Sequence, residues 1–198
     1  LFVVELILLG YWLGRNPHRQ CYFRNTRGKG IDEGTVILAL NLRNLIEHPL
    51  TLKDKIMRNR KLETFPHHLK ITTRWKDNDV YGHINNVNYY SFFDTAVNQF
   101  LIEKNVLDIA HSTIIGLVVE TQCQYFSPIA FPDNIQVGVC VTKLGRSSVR
   151  YEIAIYKEGA ELPSAAGHFV HVYVDRALGV SVPIPDSTRE ALATLLIL

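Results

Sequence analysis

Seven apolar residues between Tyr89 and Leu101 limit what this chain can become more than any other feature in it. Tyr89, Phe92, Phe93, Ala96, Val97, Phe100 and Leu101 fall at i, i+3, i+4, i+7, i+8, i+11 and i+12. That spacing is one continuous face of an α-helix. A face carrying so many large rings belongs in the centre of a domain rather than on its edge. The chain beyond the helix reads as strand. Val119, Thr121, Cys123 and Tyr125 alternate with Glu120, Gln122 and Gln124, Val137, Val139 and Val141 form a second series, and Val149, Tyr151, Ile153 and Ile155 a third. A last strand is predicted over 165–175. The connectors around Gly145 and Gly159 are short enough for hairpins. Before the helix, residues 68–75 read as a first strand, and Ser187 with Glu190 forms a capping-box signature for a short terminal helix. An antiparallel sheet must cover one face, and only one aromatic-faced helix is on hand. The pattern therefore predicts an α+β fold in which a five-stranded antiparallel sheet wraps around one long central helix.

The length of 198 residues suits one well-cored domain with an addition. The formal charge of +2 hides an uneven distribution, because residues 1–60 hold ten Lys/Arg against five Asp/Glu and the rest are net acidic. This predicts an N-terminal extension over 1–60 and a domain over 61–198. Neither part has the basic stripe with interleaved aromatics that nucleic-acid binding needs. Cys21, Cys123 and Cys140 form no CxxC pair, and two of them sit in strand alternation as small buried hydrophobes. That favours a reducing intracellular compartment, cytoplasm or organelle matrix, over a disulfide framework. The eight histidines lack zinc-ligand spacing, since His67 and His68 are adjacent and His168 and His171 face opposite sides of a strand. No metal site is expected.

Within the extension, residues 1–14 are apolar except for Glu5 and are followed by Arg15, Arg19, Arg24 and Arg27. A membrane-spanning helix takes about 20 apolar residues. The stretch reads either as a truncated anchor or targeting segment, which would bring the chain to a membrane, or as a piece that packs on the domain. Residues 15–34 read as a polar, Gly-rich linker, and 35–59 as a helical stretch interrupted at Pro49.

Chemistry concentrates between the first strand and the helix. Asp77, Asp79, Gly82, His83, Asn85 and Asn86 lie in one loop that feeds directly into a helix start. Unpaired N–H groups there can hold a developing oxyanion, and a neighbouring carboxylate can attack a carbonyl or activate water. Each residue alone also suits a turn or a cap; their concentration is what points to a site.

Asp77-x-Asp79-x-x-Gly82-His83-x-Asn85-Asn86-x-x-Tyr89, running into Phe92 and Phe93, resembles the signature of the 4-hydroxybenzoyl-CoA-thioesterase-like branch of the hotdog superfamily. Gly145-Arg146-Ser147-Ser148-Val149 and Val174-Asp175-Arg176 followed by Val182-Pro183-Ile184-Pro185 agree with it, so the resemblance covers about residues 65–195. It implies a hotdog fold, a homodimer or tetramer with sites at the subunit interface, and hydrolysis of an acyl-CoA or acyl-carrier-protein thioester. It implies Asp79 as the catalytic carboxylate, acting as nucleophile or general base, and the backbone N–H of Asn86 as the group that polarises the thioester carbonyl. His83 and Asn85 orient the loop, with Gly82 supplying its turn, and Asp77 is structural. The acyl group would lie against the helix around Tyr89. Lys143 and Arg146, with Arg150 beyond them, are the candidates for the phosphates of coenzyme A, which is substrate and not a resident cofactor. Two other functions fit parts of the pattern. A hotdog hydratase or dehydratase would pair a histidine with an acid for proton transfer, and a non-catalytic acyl-CoA or acyl-carrier binding module would have no use for Asp79.

Overall fold

The computed structural model of the protein describes residues 56–197. The apolar stretch 1–14, the linker 15–34 and most of the helical stretch 35–59 lie outside those residues. The elements are β1 (His67–Thr72), α1 (Asn86–Glu103), β2 (Ile114–Tyr125), β3 (Asn134–Leu144), β4 (Ser148–Lys157), β5 (Ala165–Asp175) and α2 (Asp186–Ala193). They build one five-stranded sheet in the order β1-β3-β4-β5-β2, with every neighbouring pair antiparallel. The fold is the α+β hotdog arrangement, with α1 as the filling.

All seven residues of the predicted helical face are buried, and Phe93, Ala96 and Val97 have no exposed surface at all. They meet the inward series Val137, Val139, Val141, Tyr151, Ile153 and Phe169 in one core cluster. Phe93 packs edge-on against Phe169 at 5.6 Å between ring centroids. It also closes on the backbone of β5, where a side chain at Gly167 would meet the Phe93 ring at 2.9 Å and run into the carbonyl oxygen of Gln122. Glycine is required there by space, not by backbone conformation.

Two local boundaries differ from the sequence reading. The first strand ends at Thr72 rather than reaching residue 75, and Trp75–Asp77 forms a 3-10 turn. Polar bonding explains the difference. The Asp77 carboxylate accepts the backbone N–H of Arg74 at 2.7 Å and its guanidinium at 2.8 Å, which folds the chain back on itself. At the other end, α2 is not opened by a Ser187–Glu190 box. It begins at Asp186 after Pro185, which makes no side-chain cap. Asp186 in the first turn places negative charge among the open N–H groups instead.

The strand order has a consequence that spacing alone could not give. β2 does not pair with β3; it lies on the far edge, against β5. Residues 126–133 carry the chain across the end of the sheet. Phe126 and Ser127 both donate to the Ser164 carbonyl, at 2.8 and 3.1 Å, and the Ile129 carbonyl accepts from Ile84 N–H at 2.7 Å. The crossing therefore lies over the loop that enters α1.

The outer face of the sheet is covered in part by residues preceding β1. Met57 and Phe65 are buried with Cys140, Ala154 and Tyr156. The Phe65 ring occupies the space above Gly138, where a side chain would meet it at 2.6 Å. The Tyr156 hydroxyl donates to the Arg60 carbonyl at 2.8 Å, and the Arg60 guanidinium stacks 3.9 Å from the centre of the Phe65 ring. The boundary expected at residue 60 falls inside this contact.

Candidate active site at the entrance to the central helix

The loop between β1 and α1 is held at both ends. Asn78 bridges Ile84 across it, and the Asn78 side chain accepts the Phe131 N–H at 3.0 Å, tying it to the crossing segment. The Asp77 carbonyl accepts twice, from Asn85 N–H at 2.8 Å and from the Asn88 side-chain amide at 2.8 Å. Asp77 is thus fixed from both sides. Its carboxyl is 1% exposed, and burial alone would raise its pKa. The hydrogen bonds and charge of Arg74 outweigh that and hold it below the usual carboxylate range.

Asp79 sits differently. The chain makes a closed turn here, with Asp79 N–H donating to the His83 carbonyl at 2.8 Å and Gly82 N–H to the Asp79 carbonyl at 3.1 Å. Gly82 takes φ +81°, a left-handed conformation that glycine adopts at no steric cost. The turn directs the N–H groups of Tyr81 and His83 at one carboxylate oxygen, Asp79 Oδ1, at 2.8 and 3.4 Å. The other oxygen, Oδ2, meets no donor among the described residues. Asp79 is half-buried, while Tyr81, Gly82 and His83 are exposed.

Beyond this turn the helix starts. Asn85 is its N-cap, and its side chain accepts Val87 N–H at 3.2 Å, while Asn88 N–H returns to the Asn85 carbonyl at 2.9 Å. The N–H of Asn86, the first helical residue, finds no acceptor among the described residues. The Asn86 carbonyl accepts the Tyr125 hydroxyl at 3.3 Å. A carboxylate with one oxygen committed and one open, together with a helix start that has an open N–H, is an arrangement able to attack and polarise a carbonyl.

The wall behind this turn is aromatic. Tyr89 is buried, with Tyr125 edge-on at 4.9 Å and Phe92 at 6.3 Å. Burial pushes the Tyr89 hydroxyl up to about 12, with the neighbouring Cys123 and Asp79 adding in the same direction. The Cys123 thiol is likewise pushed up to about 12 by burial, so neither group ionises near neutrality. Tyr125 and Cys123 reach the site only because β2 ends beside α1, and the sequence marks them merely as strand residues. Asn88, by contrast, lies inside the motif segment, where its type alone does not single it out.

Asp79, Gly82, His83, Asn85, Asn86 and Tyr89 therefore come together in one place. Lys143 and Arg146 do not join them within one chain. β1 ends next to the site with Thr72 opposite Asn134, the first residue of β3, whereas Lys143 and Arg146 lie at the other end of β3 and in the turn beyond. The strand from Asn134 to Lys143 spans roughly 30 Å. Among the described residues, no three His, Cys, Asp or Glu side chains stand close enough to hold a metal ion.

A family model for the thioesterase-like superfamily matches residues 73–192, which span this turn, the central helix and all four later strands. The chain belongs to the thioesterase-like superfamily. Solved structures agree with that membership. The PA5185 protein of Pseudomonas aeruginosa strain PAO1 is 53% identical, with a TM-score of 0.67 over 69% of this chain and 95% of that one. A thioesterase of Thermus thermophilus, crystallised with coenzyme A and Zn, is 30% identical with a TM-score of 0.57, covering 67% and 96%. The BH1999 gentisyl-coenzyme A thioesterase is 26% identical with a TM-score of 0.57, covering 64% and 99%. In this member of the superfamily, the matched region takes in every residue of the turn from Asp77 to Tyr89.

Proposed function

We propose that the chain hydrolyses acyl-CoA thioesters to the free acid and coenzyme A, with Asp79 as the reactive carboxylate. The observation that carries this reading is an open Asp79 oxygen in the turn that leads directly into a helix start whose first N–H, that of Asn86, is also open. The thioester carbonyl oxygen takes the Asn86 N–H, which favours the negative charge that develops there. Asp79 then either attacks the carbonyl carbon, expelling the thiolate and leaving a mixed anhydride that water opens, or removes a proton from a water that attacks the same carbon. On both routes the C–S bond breaks, one water is consumed and the departing sulfur gains a proton. His83 and Asn85 hold the turn in shape, Gly82 permits it, and Tyr89 walls the acyl side. No resident cofactor enters the scheme. The superfamily membership and the thioesterases among the similar structures support the reaction class. A hydratase would pair a histidine with an acid; the two such pairs among the described residues, His168 with Glu120 and His111 with Asp108, lie on the outer face of the sheet and in the loop after α1 rather than on the Asp79 turn.

The working unit in this proposal is a homodimer. β2 is an edge strand 12 residues long that exposes Leu117, Val118 and Val119 along its middle. A long apolar edge of this kind is a template for pairing with another strand, and a two-fold axis runs two copies of β2 antiparallel. Dimerisation also offers a role for Lys143 and Arg146, which are too far from Asp79 in their own chain: the partner's hairpin supplies the phosphate-binding charge.

The test is Asp79→Asn in the full-length protein, assayed by thiol release from a panel of acyl-CoAs. The exchange preserves the turn's acceptor oxygen but removes the nucleophile and base, so turnover falls by about two orders of magnitude or more. Turnover that survives the exchange refutes the assignment.

A further inference from the structure

Hairpin tips are ordinarily among the more mobile parts of a chain, yet the turn between β3 and β4 is pinned from several sides. Gly145 N–H closes it on the Ser148 carbonyl at 2.8 Å. The carbonyls of the turn then take donors from other elements. The Ser147 carbonyl accepts Tyr173 N–H at 2.8 Å, from β5, and the Arg146 carbonyl accepts Ile184 N–H at 2.9 Å. A single nitrogen of Arg189, Nη2, donates to the Gly145 carbonyl at 2.8 Å and to the Arg146 carbonyl at 2.9 Å. Arg189 stands on α2, whose Thr188, Ala191 and Leu192 are buried. Beyond α2 the chain is tied to β3 itself. Val141 N–H donates to the Leu195 carbonyl at 2.8 Å, and Ile197 N–H to the Val141 carbonyl at 3.0 Å. The guanidinium is therefore carried on a fixed support.

What the turn leaves over is donors and positive charge. The N–H groups of Arg146 and Ser147 find no acceptor among the described residues. The side chains of Lys143, Arg146 and Ser147 form no hydrogen bond or ion pair among those residues either, and Lys143 and Arg146 are exposed. Two cations, a hydroxyl and two amide donors within five residues, with the neighbouring carbonyls engaged elsewhere, have the composition of an anion site. A charged turn that served solubility alone would gain nothing from a fixed backbone.

We propose that Arg189 is a positioning residue for the carrier end of the substrate. It holds the turn in the shape in which Arg146 and the open N–H groups receive a phosphate of coenzyme A. Its action runs through the two carbonyls to which Nη2 is committed. Without it, both carbonyls lose a charged donor, the tip gains freedom, and acceptor oxygens become available beside an anion that they repel. A backbone fixed before the ligand arrives avoids that ordering cost on binding. The inference rests on the thioesterase reading and deepens it: α2 governs the grip on coenzyme A and not the attack on the carbonyl carbon.

The test uses the full-length protein. Calorimetry measures the binding of coenzyme A and of pantetheine, which has the same thiol arm without the nucleotide and its phosphates. In parallel, kcat and KM are measured for the CoA and pantetheine thioesters of one acyl group. Arg189→Met keeps an apolar stem and removes the donors. It should weaken coenzyme A binding by about tenfold, with the loss for the CoA thioester in KM rather than kcat. The preference for the CoA thioester over the pantetheine thioester should shrink at least fivefold. Arg189→Lys, which returns the charge without the planar fork, should fall between wild type and Arg189→Met. Arg146→Gln should also weaken coenzyme A binding, and adding Arg189→Met to it should cost less than Arg189→Met costs alone, because one acts through the other. Arg189 serving stability alone would lower the melting temperature and leave the CoA preference as in wild type. That result overturns the proposal, read from Arg189→Lys if Arg189→Met does not fold. Additive losses, or a wild type that binds coenzyme A no better than pantetheine, overturn it too. Coenzyme A binding that depends on Arg189 in a protein that hydrolyses no thioester keeps the positioning role and removes the proposed reaction.

Discussion

Asp77 and Asp79 are two residues apart and chemically identical, yet the fold gives them different surroundings, and Asp77→Asn separates the roles proposed for them. Asp77 accepts four contacts within hydrogen-bond distance, one from the Arg74 backbone and three from its guanidinium. The exchange keeps one acceptor oxygen but turns an amide N–H₂ towards a cation that has only donors. Losing hydrogen bonds to a charged partner of this kind costs about 2 kcal/mol. For a domain of this size that lowers the melting temperature by roughly 5–10 °C. The effect carries a pH signature. The Asp77 pKa is lowered in the folded chain, so its contribution is fully present above the unfolded carboxylate value of about 3.9 and disappears as pH falls through the lower folded value. Thermal melts of wild type and Asp77→Asn should therefore differ by a constant gap from about pH 5 to 8, and the gap should close below about pH 4. Thioester turnover at room temperature should change little, because the Asp79 turn is closed by its own backbone. A gap that is absent at neutral pH, or that persists unchanged into acid, refutes the assignment of Asp77 as a charge-paired anchor.

The other predictions concern the packing around the site. Gly167→Ala forces a side chain into the Gln122 carbonyl and the Phe93 ring, and chemical denaturation should register a loss of about 3 kcal/mol. A chain starting at residue 61 should melt several degrees below one starting at residue 56, because it loses the Met57 packing and the Arg60 carbonyl that Tyr156 bonds; equal melting would place those contacts outside the stabilising core. Val119→Lys puts a charge in the middle of the exposed β2 edge. Sedimentation should show a dimer for wild type and a monomer for this variant, with turnover lost alongside assembly.

How much of the fold and the site is legible in the sequence depends on the kind of information each feature needs. The central helix is readable because its seven core positions repeat at the helical period, and a single buried face leaves few alternatives. The turn is readable because Asp, Gly and Asn have strong local preferences that act within a few residues. Strand alternation places His168 and His171 on opposite faces, and they are: His168 meets Glu120 at 2.7 Å on the outer face, while His171 turns inward. Features that depend on strand order are not readable. Nothing in the alternation of β2 says that it pairs with β5 rather than β3. That one fact brings Tyr125 to Asn86, and it puts Ile114 and Gly116 beside His171. The same limit applies to Lys143 and Arg146, whose spacing suits a phosphate but whose place at the far end of β3 is set by register.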